Sequence, residues 1–156
     1  MEGAAADLQA IRDPIDRQFA SMSWTAMAGP DTAAFSSDFL RDAPLYPSAR
    51  PVSAKSLNEF TNRMGELART TLMSFHERVI GTKVFLFGNV AVAAVACENM
   101  ENEGEVNRNV EMMLLVKTNG HWKIAAQAWD RETNTLPIPD ELLTQVLDLQ
   151  PSQAAT

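Results

Sequence analysis

Apolar residues in the second half of the chain follow a strand-like pattern that is interrupted by turns. The β-favouring stretches span residues 71–87, 90–97, 106–117 and 122–129. The turns between them are Gly88-Asn89, Asn102-Glu103-Gly104 and Asn119-Gly120. Two-residue turns of this kind supply the positive φ angles that antiparallel hairpins need. The pattern therefore predicts a four-stranded antiparallel meander, with a bulge at Gly81 because a glycine inside a strand commonly marks one.

The first half of the chain changes to a helical period. One apolar stripe, at steps of three and four residues, consists of Leu8, Ile11, Ile15, Phe19, Met22 and Ala26. Asp13-Pro14 would suit a helix start, so either one helix bends there or the main helix begins there after a loose extra turn. Gly29-Pro30 is predicted to end this helix in both cases.

Shorter elements follow on both sides of a proline-rich segment. Asp31 is predicted to cap a second helix that stops near Arg41-Asp42, and Ser53 or Ser56 to cap a third. Between them, prolines at 44, 47 and 51 restrict any strand at Leu45-Tyr46 to a short edge strand. After the meander, an apolar stripe predicts a final helix. Its residues are Leu142, Leu143, Val146, Leu147 and Leu149, with a polar tail from Pro151.

Both faces of the predicted central strands are apolar. Residues 90–97 are almost entirely valine and alanine, and Met112 and Leu114 lie back to back with Met113 and Leu115. An antiparallel sheet with one hydrated face would alternate apolar and polar residues instead. We therefore expect helices on one face and a second copy of the chain on the other, giving a homodimer through the sheet, because large exposed apolar patches are rare in monomers.

Composition and charge favour a single globular domain, predicted over residues 7–150 with flexible tails at 1–6 and 151–156. The 156 residues are 46% hydrophobic and 21% charged, which is ordinary for a folded domain. The net charge of −7, without any basic run, argues against nucleic acid or an anionic membrane as a partner. No signal-peptide pattern or membrane-length apolar run is present in this sequence, so we expect a cytoplasmic protein.

Four segments carry a resemblance to a known family over roughly residues 7–130. They are Ala28-Gly29-Pro30-Asp31, Phe39-Leu40-Arg41-Asp42-Ala43, Gly88-Asn89-Val90-Ala91 and Asn119-Gly120-His121-Trp122-Lys123-Ile124. In this order and spacing the chain resembles the nuclear transport factor 2-like superfamily, which includes polyketide cyclase-like (SnoaL-like) and ketosteroid isomerase-like proteins. The resemblance implies a cone-shaped, cystatin-like α+β fold, in which a curved antiparallel sheet wraps around N-terminal helices and encloses an apolar pocket. It does not imply one function, because this fold serves many.

Ketosteroid isomerase chemistry, as the resemblance implies it, needs a carboxylate base on the first strand and an oxyanion hole built from a tyrosine and a protonated aspartate. Aligning on residues 39–43 places Pro47 at the base position, and the acid position on the third long strand falls near Met112. The only tyrosine, Tyr46, lies on the strand fragment and not in the first helix. None of the three roles is filled, so we expect no such activity.

Other candidate chemistry is sparse, and no catalytic residue can be assigned. His76 or Asp42 could act as a base in an alternative cyclase, dehydratase or isomerase, although His76 and Glu77 point to opposite faces of a strand. Asn107, Asn109 and Glu111 lie beside an acidic turn that could hold a cation but that we interpret as a solvated hairpin tip. The lone Cys97 is interpreted as a core residue. Two histidines and one cysteine predict no metal site, and no cofactor motif is present.

The end of the last long strand carries the predicted pocket. Simple alternation places Lys123, Ala125, Gln127 and Trp129 on one face, where Gln127 would need a partner because buried amides are costly alone. The predicted ligand-binding residues are Trp24, Tyr46, His76, Met112, Gln127 and Trp129. The favoured function is a protein that binds a small, largely apolar molecule in the cone. The alternatives are the enzyme described above and a protein-interaction module.

Overall fold

The computed structural model describes residues 2–143 and 147–149, which form an α+β fold with one six-stranded mixed sheet. The helices are α1 (Glu2–Ser21), α2 (Thr32–Ser37) and α3 (Leu57–Arg69), with a further 3₁₀ turn at Asp140–Leu142. The strands are β1 (Leu45–Tyr46), β2 (Phe75–Phe87), β3 (Val90–Glu101), β4 (Glu105–Thr118), β5 (His121–Arg131) and β6 (Leu147–Leu149). The order across the sheet is β1-β5-β4-β3-β2-β6. The sheet is curled but not closed.

The predicted meander is confirmed, because β2 to β5 pair in sequence as antiparallel neighbours. Gly88 (φ 57°), Asn119 (φ 50°) and Gly120 (φ 77°) adopt the left-handed conformations that the hairpin turns require. The bulge at Gly81 is also confirmed, since the register of β2 against β3 shifts between Val79 and Gly81. A second bulge, which was not predicted, inserts Ala125 into β5 opposite Leu114 and Leu115.

Helix α1 is continuous through Pro14 and differs from the prediction at both ends. It begins at Glu2, so residues 2–6 extend the helix in place of the predicted tail. This agrees with the alanines at 4, 5 and 6, because alanine has the highest helix propensity of all residue types. It ends at Ser21 because Trp24 leaves the helix and exchanges two backbone hydrogen bonds with Phe75, at 2.7 and 2.9 Å. The other caps are as expected, with Asp31 capping α2 and Ser56 forming a capping box with Glu59 on α3.

The predicted C-terminal helix is wrong where the structure describes it. A single 3₁₀ turn at 140–142 is followed by β6, whose backbone pairs in parallel with Lys83–Phe85 of β2. The turn approaches the sheet so closely that a Cβ on Gly81 would overlap the carbonyl oxygen of Leu142, and only glycine fits there. Val146 and the polar tail from Pro151 lie outside the described residues.

The main core lies between the helices and the inner face of the sheet, defined here as the face that the helices cover. Its largest fully buried members include Ile11, Ile15, Phe35, Leu115 and Ile124. On the opposite, outer face, the described part of the C-terminal segment packs Ile138 and Leu142 into a small cluster around Ala96. Within the described residues, no helix has the length and apolar character needed to cross a membrane.

Candidate functional site

A cavity of about 580 Å³ lies between the helices and one end of the inner face. This volume is in the range of small-molecule sites. One wall is apolar and consists of Met22, Phe35, Phe60, Met64, Leu67 and Leu72. The facing wall is polar, is built on the sheet and consists of Glu77, Asn99, Asn107, Asn109, Glu111 and Gln127. The cavity is therefore apolar on one side and rich in hydrogen-bonding groups on the other.

Strand alternation and the two bulges bring the polar wall together. On β3 and β4 the odd-numbered residues face inward along the whole strand, from Ala91 to Asn99 and from Leu115 back to Asn107. On β2 and β5 each bulge changes the parity of the inward residues. Glu77 and Gln127 consequently face the cavity, although residues of the opposite parity face inward at the other end of the same strands.

Glu111 and Gln127 form the central contact of the polar wall. The side-chain Nε2 of Gln127 donates a hydrogen bond of 2.8 Å to Oε2 of Glu111, and both residues are buried. Burial raises the pKa of Glu111 from 4.5 to about 7, while the hydrogen bond from Gln127 opposes the shift. A carboxyl group with such a pKa exchanges its proton near neutral pH, which suits general acid–base chemistry or charge-dependent binding.

Glu77 is the second carboxyl group on this wall. Its backbone N–H is fixed by a 3.0 Å hydrogen bond to the Ser23 hydroxyl, but among the described residues its side chain has no hydrogen bond or ion pair. Burial, together with the negative charge of Glu111, raises the pKa of Glu77 well above its ordinary value. The ionisation of Glu77 is therefore disfavoured most when Glu111 in the same cavity is charged.

Several amide atoms on the cavity wall are buried without a hydrogen-bond partner among the described residues. Asn99 donates to Asn107 at 3.3 Å, which uses one atom of each amide. The atoms left without a partner are Gln18 Oε1, Asn99 Oδ1, Asn107 Nδ2, Asn109 Oδ1 and Gln127 Oε1. Buried polar atoms are costly unless they are paired, so a group of them on one cavity wall indicates a place for a polar ligand edge.

The remaining charged residues that line the cavity lie in its exposed part, as does Ser48. They are Glu101 on β3, Arg131 on β5 and Arg63 on α3. Arg63 lies 3.7 Å from Glu66, and both of these side chains are well exposed. On the same inner face, one alternation from Asn99, Cys97 is fully buried, and burial raises the pKa of its thiol, so it fits the predicted core role and not that of a nucleophile.

Two of the six predicted ligand-binding residues line the cavity. Gln127 belongs to the polar wall, and Trp129 packs edge-on against Phe60 with ring centroids 5.6 Å apart. Trp24 is instead a buried structural residue, because its indole N–H donates to the Leu72 carbonyl at 2.8 Å. Lys123 does not share a face with Gln127 as simple alternation predicts, because the bulge at Ala125 puts Ile124 and Gln127 on the inner face.

The other predicted residues lie away from the cavity. Tyr46 and Met112 line an apolar groove on the outer face, and His76 is exposed on the side of β2 opposite Glu77. Asp42, the other candidate base, is exposed in a turn. Met112 lies on the outer face because adjacent strand residues face opposite ways, and its neighbour Glu111 occupies the inner position.

The polar wall is the part of the site that sequence interpretation missed. Asn107, Asn109 and Glu111 were assigned to a solvated hairpin tip, but Glu111 is only 7% exposed. The available signal was polar residues at alternate positions, Asn99 and Glu101 on one strand and Asn107, Asn109 and Glu111 on the next. Among the described residues there is no cluster of three or more side chains that could hold a metal ion.

Comparisons with known proteins bear on the fold alone. No family model matches the chain, and no curated protein matches it. A protein of unknown function from Mycobacterium tuberculosis is similar with a TM-score of 0.70 at 13% identity, covering 87% of this chain and 78% of that one. A candidate scytalone dehydratase from Novosphingobium aromaticivorans is similar with a TM-score of 0.69 at 9% identity, covering 85% and 88%.

A further structure, described as a nuclear transport factor 2-like protein of unknown function from Silicibacter pomeroyi, has a TM-score of 0.61 at 14% identity and covers 83% of this chain and 98% of that one. Proteins described as having a cystatin-like fold match as well. The predicted fold class is therefore confirmed: the chain has the cystatin-like, nuclear transport factor 2-like fold.

Proposed function

We propose that this protein binds a small organic molecule in the cavity, with an apolar body against the helices and a hydrogen-bonding edge against the sheet. The observation that carries the proposal is the row of polar groups formed by the buried Glu111 and Gln127 and the half-buried Glu77, inside a cavity of about 580 Å³. A packed hydrophobic core does not contain such a row of polar groups, because polar groups that are buried without partners reduce stability. A ligand that pairs with them recovers that cost on binding.

The polar wall changes the expected chemistry of the ligand. The sequence predicted a small, largely apolar molecule, with Gln127 as the one amide among the predicted ligand-binding residues. Two carboxyl groups and four amides line the sheet side of the cavity, so a fitting ligand carries several hydrogen-bonding atoms along one edge. Its body stays apolar, because aromatic and thioether side chains such as Phe60 and Met64 face it.

The proposal can be tested with a fragment library screened by ligand-observed NMR. We expect binders that contact the cavity to lose affinity by roughly 1–3 kcal/mol in Trp129→Ala, the scale of removing an aromatic contact from a buried site. Met112→Ala is the matched control, because Met112 lies on the outer face. Binders that respond to Met112→Ala and not to Trp129→Ala would contradict the proposed site.

An acid–base enzyme is the second candidate function. It is favoured by the Glu111 carboxyl group, which lies in the cavity and has a pKa of about 7. Glu111 takes the place of His76 and Asp42 as the group to test. We expect a bound ketone to exchange its α-hydrogens for deuterium in D₂O, with a rate that inflects near pH 7 and falls at least a hundredfold in Glu111→Gln. An unchanged rate in that variant would reject the enzyme.

The predicted homodimer is also a proposal, and the outer face supports it. Its exposed apolar residues are Phe85, Phe87, Val90, Val92, Met112 and Leu114. Leu114→Glu is expected to convert a dimer to a monomer that stays folded, whereas Leu115→Glu, at a fully buried position, is expected to unfold the protein. Light scattering that shows a monomer for the unmodified protein at micromolar concentration would contradict the proposal, and a partner protein on this face remains the alternative.

A further inference from the structure

The polar wall contains far more hydrogen-bond acceptors than donors. Of its four buried atoms without a partner among the described residues, three are amide oxygens and one is an amide nitrogen, and Gln18 Oε1 on α1 adds a fourth unpaired oxygen to the cavity. The orientation of Gln127 is fixed, because its Nε2 already donates to Glu111, and its Oε1 is therefore an acceptor. Gln18, Asn99 and Gln127 are each at least nine-tenths buried. A ligand that satisfies these oxygens must bring hydrogen-bond donors.

The two carboxyl groups add acceptor capacity and lack a cation of their own. Among the described residues, neither Glu77 nor Glu111 forms an ion pair, although other acidic residues such as Asp38 and Glu98 do. The arginines that line the cavity, Arg63 and Arg131, are exposed. The buried end of the cavity is thus suited to a positive charge that the described residues do not provide there.

We propose that the ligand of this cavity is an organic amine, bound as its ammonium ion between Glu111, Glu77 and the Gln127 carbonyl oxygen, with an apolar body on the aromatic side. This inference rests on the function proposed above and specifies its ligand class. An ammonium group has three donors and no acceptor, which matches the imbalance of the wall. A metal ion matches less well, because no cluster of three or more metal-ligating side chains occurs among the described residues.

The apolar wall agrees with this choice. Trp129 and Phe60 lie at the cavity next to the polar wall, and an ammonium group gains from a neighbouring aromatic face. Polyols would also supply donors, but they would bury hydroxyl groups against Met64, Phe35 and Leu67. One cationic group on an apolar body fits both walls.

Binding is expected to release a proton. The titratable and charged groups that face the carboxyl pair are Cys97 and Glu101 from β3, Arg131 from β5 and Arg63 from α3. Burial favours the protonated form of both carboxyl groups, and the negative charge of Glu111 adds to this effect at Glu77. An ammonium ligand arrives with its proton and stabilises a carboxylate, so the proton of the carboxyl group leaves to solvent. Affinity should therefore rise with pH through about 7 and stay high until the amine itself deprotonates.

The test uses 2-phenylethylamine and its neutral counterpart 2-phenylethanol as probes, in calorimetric titrations of the full chain at pH 6 and pH 8. We expect the amine to bind at least tenfold more tightly than the alcohol at pH 8. Titration at pH 7 in two buffers of different ionisation enthalpy should show release of a fraction of a proton up to one proton per bound amine. In Glu111→Gln the preference for the amine should fall at least fivefold. Glu105→Gln, an exposed acid on the same strand, should leave it unchanged.

The failures of this inference and of the proposed function are distinguishable. If the alcohol binds as tightly as the amine, or if the preference persists in Glu111→Gln, the amine inference is wrong while the cavity remains a binding site. If neither probe binds at millimolar concentration and the fragment screen gives no Trp129-dependent binder, both are wrong. Circular dichroism of each variant confirms that it is folded, and Glu77→Gln provides a second variant if Glu111→Gln does not fold.

Discussion

The two ends of the inner face are built on the same four strands, yet they contain opposite kinds of residues. At the packed end the inward positions include Val84, Leu86, Ala93, Leu115 and Ile124, all of them apolar and buried. At the cavity end the inward positions include Glu77, Asn99, Asn109, Glu111 and Gln127. The change occurs within one or two alternations along each strand.

This difference separates stability from function within a single sheet. The packed end removes apolar surface from water, at about 25 cal/mol per Å², and stabilises the fold. The cavity end buries carboxyl and amide groups without full pairing, which opposes folding. A sheet that tolerates such a cost at one end has a use for it, and ligand binding is the use that fits a cavity of this volume.

The largest expected effect breaks the packed end. Leu115→Ala should lower the free energy of unfolding by about 2–5 kcal/mol, because it removes a fully buried side chain from a packed core. Leu114→Ala is the matched control on the outer face, where the residue is 44% exposed, and it should cost less than half as much in dilute protein. Urea unfolding of both variants measures the difference, and equal losses would show that the inner and outer positions are assigned wrongly.

The next effect concerns the pH dependence of the cavity end. The pKa of Glu111 is raised from 4.5 to about 7, so its folded form binds the proton more tightly than the unfolded chain does. The contribution of Glu111 to the free energy of unfolding is fully present below pH 4.5 and is lost as pH rises through 7. It amounts to about 3 kcal/mol in total, at about 1.4 kcal/mol per pKa unit. The free energy of unfolding should fall between pH 5 and pH 8, as chemical denaturation at each pH measures.

Glu111→Gln should flatten this part of the pH profile, because the amide cannot titrate. Ionisation of Glu77 also lowers the free energy of unfolding as pH rises, because its pKa is raised as well. Some pH dependence should therefore remain in Glu111→Gln until Glu77→Gln is added. Asp7 and Glu98 have lowered pKa values because of hydrogen bonds from Lys117 and Arg78, so their contributions are lost only in acid. A profile that keeps its full slope in the double variant would contradict the assignment.

The smallest expected effect sharpens the comparison at one contact. Gln127→Leu removes the donor that stabilises the ionised form of Glu111, so the pKa of Glu111 should rise further, by less than the effect of burial. A ¹³C NMR titration of the Glu111 carboxyl carbon measures this pKa. Asn107→Leu should change it less, because no hydrogen bond joins Asn107 to Glu111 in the described residues. A lower pKa in Gln127→Leu would show that Gln127 accepts from a protonated Glu111 instead.

The sequence predicted much of the fold because turns and strand period are local signals. The positive φ values of Gly88 and Asn119 follow from residue type, and the strands between such turns are long enough to show their period. The C-terminal strand could not be predicted, because Leu147–Leu149 pairs with β2 through a contact distant in sequence. The apolar stripe there fitted a helix equally well.

The site was predicted only in part, for a different physical reason. Gln127 and Trp129 were identified because a polar residue stood among apolar ones at a strand end. Glu111 was passed over because charged residues near turns are usually solvated, and Glu77 was considered only as a neighbour of His76 on the opposite face of the strand. Whether a strand residue faces a cavity or solvent depends on parity, and one bulge reverses parity without leaving a clear trace in composition, as at Ala125.

The bulge beside Gly81, where Ile80 is the extra residue, and the bulge at Ala125 allow one end of the sheet to be changed by insertion or deletion without changing the other. Each adds one residue where the packed end meets the cavity end, and so acts as a frame shift in the alternation of faces. Loss of the single codon for Ala125 would leave Trp122 and Ile124 in place and rotate Gln127 and Trp129 onto the outer face. Alanines 126 and 128 would then face the cavity, leaving it without its amide and its indole on that strand. One codon thus separates a chain with this binding chemistry from one with the same fold and a cavity that β5 lines with alanine alone.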